Sequence, residues 1–263
     1  MGLLVGLVAE MRLVASLIVQ DEMHRYLPLV IGHLRAFSDQ IVVLDDGSAD
    51  GTGEWLDEQA DDQLVVHHLD REDGFFSGHE GRKRQQLLLL TLNELPDYVL
   101  AIDADEFISN GQGLRNYMDT NRPVGTLEMK EVWKADDDAL YIRHDGAWRP
   151  HPVPILWNGH LHGRRGHAVS IAQKALACGR EPEEVRRMFG KSRPTEVSIL
   201  HFGWANERAR QERYDRYVVA DGGRFHRNAH IESIMFPDTD VTVQATGWPT
   251  SLPRQPILAV VNS

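Results

Sequence analysis

The chain carries a single cysteine, Cys178, in 263 residues. An intrachain disulfide is excluded, and a reducing, cytoplasmic compartment is the simple expectation. Cys178 reads as a small apolar filler rather than a nucleophile. Long apolar runs are also missing. None approaches the roughly 20 residues that span a bilayer, so no stable membrane insertion is expected. Positive charge is scarce as well: Lys and Arg total 28 against 39 Asp and Glu, a formal net charge of -11. Such a chain has no global field to draw it to nucleic acid. A phosphate-bearing ligand would need a local Arg cluster, or a divalent cation held by carboxylates. Repeats and linker-like stretches are absent, and the length suffices for one domain with a substantial core.

The N-terminal residues 1–8 are apolar, but no basic start precedes them and Glu10 follows, which argues against a signal peptide. Met11 stands just before the first strand-like run. The expectation is that it is the functional start and that residues 1–10 are dispensable.

What is present alternates in character over the first 110 residues. Apolar or β-branched runs at 13–19, 41–44, 64–68 and 98–102 read as buried strands. Between them, residues 22–37, 50–60 and 80–95 read as helices, with Pro28 tolerated in the first turns of its helix. This order predicts an α/β fold: a central, mostly parallel sheet flanked by helices on both faces. Ligands of such sheets bind at the carboxyl ends of the strands. Three acidic loops occupy those ends: Gln20-Asp21-Glu22, Asp45-Asp46-Gly47-Ser48 and Asp103-Ala104-Asp105-Glu106. After residue 120 the runs at 125–133, 139–143, 153–157 and 196–201 predict a mixed or antiparallel extension. A helix over 204–220 is dense in Arg, with a solvated face expected, and the last forty residues show no clear periodicity.

The D-x-D sequence Asp103-Ala104-Asp105 carries the most chemistry. At the end of a strand its two carboxylates fall on one side of the chain. They repel unless a cation lies between them, and magnesium or manganese can do so while bridging diphosphate oxygens. In the second loop a carboxylate of Asp45 or Asp46 can accept hydrogen bonds from a nucleobase or ribose. Ser48 or Asp50 can cap the next helix. Asp46, Ser48, Asp50 and Gly51 also fit the start of a calcium loop. That reading is set aside, because the position for the bidentate Glu holds Asp57 and a strand precedes the loop.

Together, residues 16–22, 43–52 and 101–107 resemble the family 2 glycosyltransferases of GT-A fold. The resemblance implies a single GT-A domain over 1–263: a nucleotide-sugar-binding half to 120, an acceptor-side half over 121–203, and a C-terminal helix and tail over 204–263. It gives Asp46, with Asp45, the nucleoside. It gives Asp105 direct metal ligation and Asp103 the ribose or the metal. Gln20 and Ala104 fall in the same donor-binding loops. Asp21 departs from the Asn common in the family. Arg84, preferred over Arg82, would offset donor phosphate charge. A late histidine often completes the metal site, and His201 in His-Phe-Gly-Trp is similar to that element. Because imidazole suits manganese better than magnesium, Mn2+ is the expected cofactor, with Mg2+ as the alternative.

His160, His162 and His167, with Arg164 and Arg165 between them, match no familiar zinc spacing and read as a loop. Trp133, Trp148, Trp157 and Trp204 could stack on sugars, although packing is the default for each. The implied reaction is inverting hexosyl transfer from a nucleotide-sugar, a UDP-sugar by default. The acceptor is an unknown glycan, protein, nucleic acid or small molecule. A carboxylate would deprotonate it, with candidates Asp136, Asp137, Asp138, Glu196 and, preferred among them, Asp145. Two alternatives stand beside this. A nucleotidyltransferase would ordinarily show a Gly-rich basic loop after the first strand, where this chain has an acidic one. A non-catalytic nucleotide-sugar or glycan-binding module is the other.

Overall fold

A computed structural model describes residues 11–72, 80–118, 124–158, 196–216, 218, 228–235 and 241–263. Cys178, residues 1–10 and the cluster from His160 to His167 lie outside the described residues.

Four parallel strands build the first half: β1 (Leu13–Val19), β2 (Gln40–Asp45), β3 (Leu64–His68) and β4 (Tyr98–Ala101). β1 lies between β2 and β4, and β3 flanks β2. Every residue of β1 and β2 is buried, as β-branched runs covered on both faces require. The side chains divide by alternation. Leu13, Ala15, Leu17 and Val19 join the main core with Leu27, Val30, Ile31 and Leu34 of α1 (Leu27–Arg35) and Leu56 of α2 (Thr52–Gln59). Val14 and Ile18 face the other way, onto Leu87 of α3 (Glu80–Asn93). There the Ser16 and Thr91 hydroxyls satisfy each other at 2.9 Å.

α1 begins later than the periodicity predicts. The amides of Glu22 and Met23 are taken by Thr52 Oγ1 and Asp50 Oδ2, which holds residues 22–26 in turns until Pro28 opens the helix.

The strands β5 (Glu106–Ile108), β6 (Val124–Ala135), β7 (Leu140–Arg143), β8 (His151–Asn158), β9 (Ser198–His201) and β10 (Val243–Thr246) extend the same sheet. β8 runs antiparallel to β4 and so welds the extension to the parallel half. The order is β10-β7-β6-β8-β4-β1-β2-β3, with β9 joining β5 to β6. This is the expected α/β class: a Rossmann-like sheet with a mixed, largely antiparallel C-terminal extension.

Helices α4 (Gly111–Met118), α5 (Glu207–Arg216), α6 (Asn228–Met235) and α7 (Arg254–Val261), with a 3-10 turn at Gly146–Trp148, complete the described elements. The chain end is more ordered than its pattern suggested. β10 pairs with β7, and Leu252, Ile257, Leu258 and Val261 enter the main core. Its signal was missed because the strand is short and mostly exposed and the helix has only two turns. Among the described residues, no helix is long and apolar enough to cross a membrane.

Candidate active site

The three acidic loops meet at the carboxyl ends of β1, β2 and β4, as the strand order dictates. Asp45 and Asp46, however, turn inward. Asp46 is fully buried, and the equally buried Lys83 of α3 donates to its carboxylate at 2.7 Å. Asp45 accepts from the Ser48 hydroxyl at 2.5 Å and pairs with His68 at 3.0 Å. These carboxylates therefore shape the loop from inside and do not present themselves to a nucleoside. Gln20 donates to the Asp46 carbonyl, and Asp21 accepts from Ala49 N–H and pairs with Arg71 at 2.9 Å. Asp50 accepts from the amide and hydroxyl of Thr52, but the N-cap position of α2 is Gly51 and no side chain caps it, so neither Ser48 nor Asp50 is the helix cap the sequence suggested. Gly47 has φ +66°, and a Cβ there would meet the Arg71 backbone, so the turn and its close approach both require glycine.

The D-x-D loop has a different character. Asp103 remains 47% exposed and accepts from Arg84 at 3.2 Å. Ala104 is buried beneath it. Asp105 is buried and faces the extension. β5 follows immediately and pairs antiparallel with β9, setting Glu106 opposite His201. β9 pairs on its other side with β6, setting Glu131 opposite the same histidine. His201 is therefore held between two strands. Its Nε2 lies 3.4 Å from Asp105 Oδ1, and its Nδ1 lies 2.5 Å from Glu131 Oε2. Arg213 of α5 donates to Asp105 Oδ2 and stacks over Trp204 at 4.8 Å. Gly203 makes room: a Cβ there would lie 2.7 Å from Asp105 Oδ2 and against the Arg213 guanidinium.

Burial alone would raise the pKa of Asp105, but the charges of Arg213 and His201 outweigh it and hold the carboxyl well below its usual range. Glu131 is likewise lowered, because His201 overrides the effect of burial. His201 is raised well above an ordinary histidine, since Glu131 and Asp105 together outweigh its desolvation. Glu106 behaves in the opposite way. Burial, reinforced by the Asp103 charge, pushes it up to about 8. Its carboxyl accepts from the Asp103 amide at 3.0 Å.

Among the described residues, no group of three or more His, Cys, Asp or Glu side chains is arranged to hold a metal ion. Asp103 turns to Arg84 instead of standing beside Asp105 and His201. As they stand, these side chains do not fit a divalent cation: Arg213 already donates to Asp105, and the raised pKa of His201 favours a protonated ring whose nitrogens are donors.

Asp145 is not placed as a base. Arg143 binds it in two-point fashion at 2.8 and 2.7 Å, and those hydrogen bonds lower its pKa. Asp136 and Asp137 are also engaged, by the turn to Ala139 and by Gln255. Trp148, Trp157 and Trp204 are buried, and Trp133 lies under the guanidinium groups of Arg143 and Arg210. Packing accounts for all four. On the Arg-rich helix, Arg208 is exposed and bridged to Glu212, whereas Arg210 and Arg213 turn inward.

Sequence reasoning missed Lys83, Glu131 and Arg213. Lys83 had a signal. It stands one helical turn before Leu87 and two before Thr91, on the face that packs against the sheet. Nothing local distinguishes Arg213 from its neighbours on α5, or Glu131 from the other charges of β6.

No family model matches the chain, and neither does any curated protein. Solved structures do. A 4-diphosphocytidyl-2C-methyl-D-erythritol synthase from Anaerococcus prevotii is 12% identical, with 71% of this chain and 88% of that one covered at a TM-score of 0.41. HddC from Yersinia pseudotuberculosis is 9% identical, covering 77% and 97% at 0.46. A protein described as a glucose-1-phosphate thymidylyltransferase from Bacillus anthracis, in complex with sucrose, is 9% identical, covering 76% and 93% at 0.43. At these identities and TM-scores the likeness assigns no activity.

Proposed function

We propose that the chain binds a nucleotide-activated sugar, a UDP-sugar by default, and transfers its glycosyl group to an acceptor hydroxyl. The observation that carries this reading is the placement of Asp105 beside His201, at the carboxyl end of a parallel strand and next to the exposed Asp103. Mn2+ or Mg2+ would reach Asp105 and His201 only by displacing Arg213 and taking the place of the imidazole proton. When bound, that cation supplies charge stabilisation to the departing nucleoside diphosphate. Arg84, already paired with Asp103, would meet donor phosphate with a charge-assisted hydrogen bond. Asp45, Asp46 and Lys83 hold the floor of the donor loop in place. The acidic loop after β1, with Asp21 tied to Arg71 and Ala49, is unlike the basic loop that a nucleotidyltransferase wants.

The test is UDP release from a panel of UDP-sugars, with and without Mn2+. Metal-dependent release is the expected result. Pyrophosphate release from a nucleoside triphosphate and a sugar phosphate would replace the reading with nucleotidyl transfer. Donor binding without turnover of any donor would replace it with a binding module.

A further inference from the structure

His68 closes β3, the outer strand of the parallel half, in a register that sets it opposite Asp45 of β2. Its ring lies between two carboxylates on different elements. Nδ1 is 3.0 Å from Asp45 Oδ2, and Nε2 is 3.0 Å from Asp57 Oδ1 on α2. α2 comes close at Gly53, where a Cβ would lie 3.0 Å from Asp45 Oδ2 and 3.6 Å from the ring. Asp45 from β2 and Asp57 from α2 are the charged groups that face the ring. His67, its neighbour on β3, points to the opposite face. The other oxygen of Asp45 holds the loop after β2. It accepts from the Ser48 amide at 3.1 Å and from the Ser48 hydroxyl at 2.5 Å. That hydroxyl accepts in turn from the Asp21 amide at 2.9 Å. One chain of hydrogen bonds therefore runs from α2 through His68 to the loop after β1.

We infer that His68 is a positioning residue for the nucleotide side of the site: as an imidazolium it clamps Asp45 to Asp57 and so fixes the loop of residues 46–51. This rests on the nucleotide-binding reading proposed above. Only the charged ring donates from both nitrogens; the neutral ring donates from one. The Asp45 side chain is 5% exposed and that of Asp57 is 65% exposed, so water replaces the ring more readily at Asp57. Loss of the proton therefore opens the clamp at α2 first. Hydrogen bonds to Asp45 and then Asp57 raise the pKa of His68, outweighing its desolvation. The clamp is fully present below the unfolded value of about 6.5 and is lost as pH rises through the higher folded value. His68 exerts this role through Asp45 alone.

The experiment uses the full chain, from mildly acidic to alkaline pH. Imidazole nitrogen NMR follows His68, hydrogen exchange gives the protection of the Ser48 amide, and calorimetry gives UDP affinity. Wild type is compared with His68→Gln and Asp57→Asn. In wild type His68 should titrate above about 6.5. As it does, Ser48 protection should fall, and UDP should bind up to about fivefold more weakly, the worth of one partly exposed ion pair. Asp57→Asn should move all three midpoints to lower pH. His68→Gln should remove the pH dependence of protection and affinity in this window. If Ser48 protection or the affinity of bound UDP ignores the His68 titration in wild type, the inference is overturned. An unmoved His68 midpoint in Asp57→Asn also overturns it. If Ser48 follows His68 but no UDP binds at any pH, the nucleotide-binding reading fails while the clamp stands. Should His68→Gln not fold, Asp57→Asn decides: shifted midpoints support the role, and coinciding profiles overturn it.

Discussion

Asp105 and His201 stand 3.4 Å apart although nearly the whole antiparallel extension separates them in sequence. Two backbone pairings cause this: β5 on β9, which begins one residue after Asp105, and the Phe202 amide donating to the Asp105 carbonyl at 2.9 Å. The strand that ends the D-x-D loop is therefore the strand that receives the histidine.

Asp105→Ala should abolish Mn2+-dependent donor binding. It should also destabilise the fold, because Arg213 and His201 would remain as poorly compensated buried cations. Removing one partner of a buried pair costs about 3–5 kcal/mol. Urea unfolding and calorimetry with Mn2+ and UDP measure the two effects. Donor binding that persists would remove Asp105 from the site.

Arg84→Ala should separate binding from stability. The Arg84–Asp103 pair is open to water on its Asp103 side, and pairs screened by solvent contribute about 0–1 kcal/mol to folding. Loss of a charge-assisted hydrogen bond to donor phosphate is worth about 1.5–3 kcal/mol in affinity. UDP titration should show the weakening while the unfolding midpoint scarcely moves. Equal donor affinity in both proteins would place the phosphates elsewhere.

Lys83→Met should be among the most damaging single changes away from the D-x-D loop. It strands the fully buried Asp46 carboxylate, at a cost of about 3–5 kcal/mol. Lys83→Met combined with Asp46→Leu should recover much of that loss, because no unpaired charge remains. A double variant no more stable than the single one would show that the pair does more than neutralise itself.

His33 sets an acid limit on stability. Burial lowers its pKa, only partly offset by the contact of Nε2 with the Ile108 carbonyl at 3.0 Å. The folded pKa therefore lies below the unfolded value of about 6.5. As pH falls through that value the unfolded chain takes up a proton that the folded chain refuses. Stability is lost from there down to the folded pKa and levels off below it. Urea midpoints between neutral and mildly acidic pH should fall in wild type and fall less in His33→Gln. Matching slopes would assign the acid sensitivity to other groups.

The parallel half was legible in sequence because its signals are local. Leu13–Val19 and Gln40–Asp45 carry nearly unbroken apolar stretches, and each strand's loop chemistry follows it directly. Strand order then follows from right-handed crossovers, and the site from the carboxyl ends of the strands. Asp103 and Asp105 could be named on that basis, and His201 from the resemblance to the GT-A glycosyltransferases. Their partners could not. Whether Asp46 faces a ligand or Lys83, which arginine of α5 reaches Asp105, and that Glu131 stands behind His201 all depend on registers between distant strands. A one-residue slip in such a register moves every side chain to the other face. Local pattern determined which carboxylates gather at the sheet's edge. Only the tertiary packing of β5, β9, β6 and α5 decided which of them stay open and which are neutralised, because a buried charge is tolerated only where the fold brings a counter-charge to it.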